Sequence, residues 1–105
     1  MGYKITFSKK AISDIDIVGG NVFKACQDIK KTQDYINKLL DKIYSKSDFP
    51  ESGTPFYFLG YKTKYRYVIY KHYMAFYTIE DDEIVVIRIV YGKSDYTSDL
   101  LNQIQ

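Results

Sequence analysis

Histidine and cysteine are nearly missing from this chain: His72 and Cys26 stand alone among 105 residues. One cysteine excludes an internal disulfide framework and a cysteine-based zinc cluster, and it suits a reducing compartment. One histidine excludes a multi-histidine metal site, so no cofactor is expected. Cys26 reads as a small helix residue and His72 as a polar turn residue. No apolar run approaches the roughly 18 residues of a membrane span. The opening MGYKITFSKK lacks the apolar core of a signal segment. Secretion and membrane insertion are therefore not expected, and a cytoplasmic location is. There is no internal repeat, low-complexity tract or linker, so residues 1–105 read as one domain. A net charge of +2 is too small for a polybasic protein, so any affinity for anions must come from local clustering.

Acidic side chains are absent between Ser52 and Ile79, while Lys62, Lys64, Arg66 and Lys71 all fall in that interval. Tyrosines are threaded through it. Cations neutralise phosphates and rings offer stacking surface, so such a sheet face suits a polyanion. The plainer reading is that tyrosine is a good strand residue and lysine a good edge residue.

Residues 3–7 alternate Tyr, Lys, Ile, Thr, Phe, the period of a short strand. Ser8 follows as a helix N-cap, with Ile12, Ile15, Val22 and Cys26 near helical spacing. Gly19, Gly20 and Asn21 predict a kink or break in that helix. Asp28 is the N-cap of a second helix, whose stripe of Ile36, Leu39, Leu40 and Ile43 belongs to a core. Pro50 and Gly53 end it and turn the chain. Three strands then follow: residues 65–70, 73–79 and 84–91. Lys71 and His72 form the first tight turn, and the acidic residues 80–83 the second. The nearly continuous apolar run of the last strand predicts a central place in the sheet. A short terminal helix, or frayed chain, is expected at residues 97–105.

Short links make these strands antiparallel neighbours. The expected fold is α+β: an N-terminal strand, two helices on one face of a mainly antiparallel sheet, and a three-strand C-terminal meander. The other face is expected to be partly open. Arg66, Val68 and Tyr70 should share one face of their strand, and Arg88 should share a face with Val86 and Val90. An arginine in the middle of IVVIRIV is costly to bury unpaired, so Arg88 should lie on the open face or meet a helix carboxylate.

YKITFSKKAISDID, INKLLDKIYSKSDFPESG and YRYVIYKHYMAFYTIEDDEIVVIRIVYGKSDYTSDLL together resemble, in order, the RelE/ParE superfamily of bacterial type II toxins. The resemblance implies a growth-inhibiting toxin with a small cognate antitoxin, and two targets. RelE-like members cut messenger RNA in the ribosome; ParE-like members poison DNA gyrase without known nuclease activity. The resemblance does not choose between them; the cation-rich sheet, which suits RNA, leans the expectation to RelE-like cleavage, with gyrase inhibition as the alternative and an inactive member retaining only antitoxin binding as a third. Under RNA cleavage, the resemblance implies catalytic roles for Arg66, Lys93 and Tyr96, with Lys62, Lys64 and Arg88 holding RNA. The family's post-strand basic pair is Lys93-Ser94 here, so one cation is missing, and no histidine follows the last strand. Two antiparallel reversals also put the start of Arg66's strand and the end of Lys93's at opposite ends of the sheet. Val68, Val86 and Val90 on the open face, with outer helix faces, are expected to receive the antitoxin.

Overall fold

A computed structural model of the chain describes residues 2–92. The elements run β1 (Lys4–Phe7), α1 (Lys9–Cys26), α2 (Ile29–Tyr44), a 3-10 turn (Pro50–Ser52), β2 (Thr54–Phe58), β3 (Tyr61–Tyr70), β4 (Tyr73–Glu80) and β5 (Glu83–Tyr91). The sheet order is β1-β5-β4-β3-β2. β1 pairs with β5 in parallel, and every other pairing is antiparallel. The architecture is the expected one, with β5 interior between β1 and β4, β4 rather than β5 in the middle of the sheet, and one further strand, β2, at an edge.

Both helices begin where their caps dictate. Ser8 keeps an extended backbone and its Oγ accepts from Ala11 N at 3.0 Å. Asp28 Oδ1 accepts from Lys31 N at 3.0 Å. α1 closes at Gln27, whose left-handed φ of 54° lets its N–H reach Phe23 O at 2.7 Å. The expected break at Gly19 and Gly20 does not occur: α1 runs through both. Each glycine costs a helix about 1 kcal/mol against alanine. Burial of Ala11, Asp14 and Val18 beneath the helix, with caps at both ends, outweighs that.

Leu39 and Ile43 of α2 are buried, and Ile36 and Leu40 pack against the same core. The sheet contributes Val68, Tyr73, Ala75, Tyr77, Ile84, Val86 and Ile89 to it. Met74, Phe76 and Val90 form a second cluster, with Phe56, Tyr67 and Ile87 packed against it. This corrects three expectations. Val68 and Val86 belong to the main core that the helices cover, and Val90 is buried within the second cluster; none of the three is an open apolar surface.

A bulge explains the wrong face of Val86. Phe76 is registered with Arg88 and Tyr77 with Val86, so Ile87 is an extra residue in β5. Strict alternation would put residues 86, 88 and 90 together. The inserted residue reverses the parity, and Val86 and Val90 end on different clusters.

The same stretch of β5 lies past the end of β1, whose pairing stops at Val86. α1 closes that edge. Ser8 Oγ donates to Ile87 O at 2.8 Å, and Asp14 Oδ2 accepts from Ile89 N at 2.9 Å. Side chains thus take hydrogen bonds that a neighbouring strand would have made.

Candidate functional site

Arg66 lies on β3 opposite Tyr77 of β4. Tyr77 Oη donates to Pro50 O at 2.5 Å and accepts from Gly53 N at 3.1 Å. Arg66 Nη1 donates to Glu51 O and Gly53 O, each at 3.0 Å. Burial pushes the Tyr77 hydroxyl above the usual tyrosine value, against smaller opposing effects of the Gly53 hydrogen bond and the Arg66 charge. Gly53 is needed here: an added Cβ would collide with the Tyr77 ring and hydroxyl. The arginine and tyrosine together fasten the 3-10 turn to the sheet.

Arg66 is level with Val86 across the sheet, through Tyr77. Gly92, where β5 has ended, donates to His72 O at 2.8 Å at the other end. Five positions of β4, from Tyr77 to His72, separate the two levels, about 17 Å at 3.3 Å per residue. Lys93 and Tyr96, expected to join Arg66, lie outside the described residues.

Lys62 and Lys64 stand on a projecting hairpin. Residues 61–65 of β3 have no registered partner on β4 and are followed along only by β2. The register between Pro55 and Tyr57 shifts, and Thr63 bridges the irregularity. Its Oγ1 donates to Phe56 O at 2.6 Å and accepts from Tyr65 N at 3.2 Å. Lys62 is exposed; Lys64 Nζ lies 3.8 Å from Glu80 Oε1 and 5.7 Å from the centre of the Tyr65 ring. Tyr57, Leu59 and Tyr61 surround the tip, all exposed.

Arg88 meets a carboxylate, the second of its two expected fates. Its Nε and Nη2 donate to Asp14 at 2.8 and 3.1 Å, and both side chains are largely buried. A role in holding RNA would require this pair to open.

A tyrosine cluster at the far end of the sheet went unnoticed in the sequence. Tyr35 of α2 packs edge-on against Tyr70 and Tyr73, with centroids 5.2 and 6.2 Å away, and Tyr73 packs on Tyr91 at 5.7 Å. Lys71 Nζ lies 5.3 Å from the Tyr35 ring centre and 5.6 Å from that of Tyr70. A groove of about 390 Å³ opens beside it, lined by Asn21, Val22, Cys26, Tyr35, Tyr73 and Tyr91 among others. Burial raises the Tyr35 hydroxyl; a hydrogen bond to the His72 backbone lowers it, and the other tyrosines raise it further. Tyr35 adjoins the α2 stripe, which was the available signal. Among the described residues, no three histidine, cysteine, aspartate or glutamate side chains gather as a metal site. No helix among them is long and apolar enough to cross a membrane.

A family profile described as "ParE toxin of type II toxin-antitoxin system, parDE" matches residues 5–96. The chain belongs to the ParE toxin family. Comparison with curated proteins gives no match. Among solved structures, a chain of the chromosomal ParDE toxin–antitoxin system from P. aeruginosa superposes with a TM-score of 0.71 at 13% identity, covering 87% of this chain and 97% of that one. A chain of the toxin–antitoxin complex RelBE2 from Mycobacterium tuberculosis gives 0.62 at 15% identity, covering 87% and 92%. At such identities the likeness is one of fold. For a ParE-family toxin, the notable feature of the described residues is what they leave apart: Arg66 anchors a turn, Arg88 is paired, and the exposed Lys62 and Lys64 sit on a hairpin.

Proposed function

We propose that this ParE-family toxin inhibits growth by binding rather than by chemistry, as a non-catalytic inhibitor of DNA gyrase, and that a cognate antitoxin protein neutralises it. The observation that carries the first part is the engagement of Arg66. Its Nη1 holds the carbonyls of Glu51 and Gly53, about 17 Å along the sheet from the level of Gly92. General acid–base cleavage of RNA needs a proton acceptor, a proton donor and a cation within hydrogen-bond reach of one phosphate. At Arg66 the cation and the neighbouring Tyr77 hydroxyl are both committed to the 3-10 turn and its exit. The family profile supports the gyrase target, and the ParDE and RelBE2 likenesses support an antitoxin partner.

One observation favours RelE-like cleavage of ribosome-bound message as a second reading. Lys62 and Lys64 share an acid-free hairpin with exposed Tyr57 and Tyr61, which suits a phosphate backbone with stacked bases. A single experiment separates the two. Purified protein is added to gyrase acting on relaxed plasmid, and separately to translating ribosomes with message ends mapped. Loss of supercoiling with intact message supports gyrase inhibition. Codon-positioned cuts with unchanged supercoiling support the nuclease.

A further inference from the structure

The three sharp turns of the meander and its leading hairpin each contain a residue with positive φ. Lys71 (φ 53°) and Asp81 (φ 54°) serve two of them, and Leu59 (φ 51°) with Gly60 (φ 83°) serves the hairpin between β2 and β3. Phe58 and Tyr61 close that hairpin, so both central residues are left-handed, the geometry in which Asn-Gly is strongly preferred. Asparagine tolerates the left-handed region because its short polar side chain bonds locally; a branched aliphatic residue gains nothing there and is strained. Leu59 is also 80% exposed. It is therefore disfavoured both by its backbone and by its contact with water. Its neighbours repeat the pattern: Tyr61 is 78% exposed and Tyr57 56%. Nothing about folding calls for this side chain at this place, and local strain joined to exposed apolar surface is a mark of a binding element.

We propose that this hairpin tip, with Leu59 and Tyr61 as anchors and Lys62 beside them, is the surface by which the toxin grips an apolar pocket with an acidic rim on its protein target. The proposal rests on the reading that the toxin acts by binding a protein. Charge complementarity selects the rim. No acidic residue lies between Ser52 and Ile79, and exposed Lys62 follows Tyr61 in the strand, registered with exposed Tyr57 on the hairpin's other face. Two features favour protein over nucleic acid. Leu59, at the very tip, offers no stacking face. Lys64, the other lysine of the hairpin, already has Glu80 as a counter-charge 3.8 Å away. Exposed anchors flanked by a charge on a hairpin held stiff by Thr63 suit insertion into a preformed pocket, where a few residues carry most of the binding energy.

The test uses the whole chain with Leu59→Asn, Tyr61→Asp and, as a control, Ile29→Asp. Ile29 is 67% exposed at the first turn of α2, where an acidic residue is favoured by the helix dipole. Growth arrest on induction, binding to purified gyrase, message cleavage in a translating extract and thermal melting are measured for each. Leu59→Asn creates the favoured Asn-Gly turn, so its Tm should rise by about 4 °C. Both hairpin variants should bind gyrase about 30-fold or more weakly and lose growth arrest, whereas Ile29→Asp retains both. If the wild-type protein never binds gyrase and cuts no message, yet only the hairpin variants lose growth arrest, the gyrase reading falls and the hairpin stands as the target surface. Undiminished arrest by both hairpin variants overturns the proposal. So does message cleavage by the wild type that the hairpin variants lose, because the tip is then an RNA surface.

Discussion

Asp14 of α1 and Arg88 of β5 form a two-point salt bridge, Nε to Oδ2 at 2.8 Å and Nη2 to Oδ1 at 3.1 Å, and Asp14 Oδ2 also accepts from Ile89 N at 2.9 Å. One carboxylate thus satisfies an arginine and an unpaired strand edge together. Removing one member of a largely buried pair leaves the other charge unmatched, at a cost of about 3 kcal/mol. Asp14→Ala should therefore lower Tm by roughly 12 °C in a domain of this size. Asp14→Asn retains an acceptor for Ile89 and should lose less. Thermal melts of the two variants check this; equal losses would mean that the backbone acceptor contributes nothing.

Gly20 offers a substitution of opposite sign. It lies inside α1 with nothing within 4 Å of an added Cβ, and its φ is not left-handed. Gly20→Ala restricts the unfolded chain and raises helix propensity without a clash. Stability should rise by about 0.5–1 kcal/mol. Urea unfolding at neutral pH reads it directly, and no gain would mean that α1 is strained at this point.

Gly20 also marks the boundary of what could be read in the chain. Caps at Ser8 and Asp28, the Ile36–Leu39–Leu40–Ile43 stripe and the two tight turns were legible because each is set by residues within a few positions. The continuity of α1 was not, because tertiary burial of Val18 and Asp14 overrides two local glycines. β2 was missed because Pro55 and a register shift mask a strand pattern only five residues long. The face of Val86 was misjudged because one unopposed residue, Ile87, is invisible to alternation. The Arg88 partner was foreseen as a helix acid, but only the fold could select Asp14. The candidate site was less legible still. Arg66 was expected to act on a phosphate; its carbonyl partners lie 13 and 15 positions upstream, in a turn that Pro50 and Gly53 announce but that no local pattern ties to Arg66.

Tyr77 gives a pH-dependent prediction. Burial raises its pKa in the folded state. An unfolded tyrosine loses its proton near pH 10, and the folded one only at higher pH. The stabilising difference is present below about pH 10 and is lost as pH rises through the folded value. Tyr77→Phe leaves Pro50 O and Gly53 N without their partner, a loss of about 2 kcal/mol at neutral pH. The variant should also show a shallower decline of stability above pH 10, with the remainder due in part to Tyr35, whose pKa is likewise raised. Denaturant unfolding at several pH values between 8 and roughly 11 decides the matter, since those values bracket an ordinary tyrosine. An unchanged slope would show that Tyr77 does not carry the alkaline loss.

Arg66 brings fold and function into the same test. Its guanidinium fastens the 3-10 turn through two carbonyls, and Gly53 lets Tyr77 complete the attachment. Arg66→Ala should cost about 1–2 kcal/mol, with Tm falling by about 4–8 °C. Gly53→Ala forces a clash with Tyr77 while leaving the arginine in place. If Arg66 anchors the turn, the two variants lose stability together, and any loss of growth arrest follows the loss of fold in both. Arg66→Lys retains the charge but not the reach to two carbonyls at once, so it should resemble Arg66→Ala in melting. If the cation instead acts on a bound phosphate, Arg66→Ala abolishes growth arrest with Tm nearly unchanged, and Gly53→Ala melts early yet stays toxic at low temperature. Melting curves and growth assays on the same three variants therefore place Arg66 in the scaffold or in the chemistry.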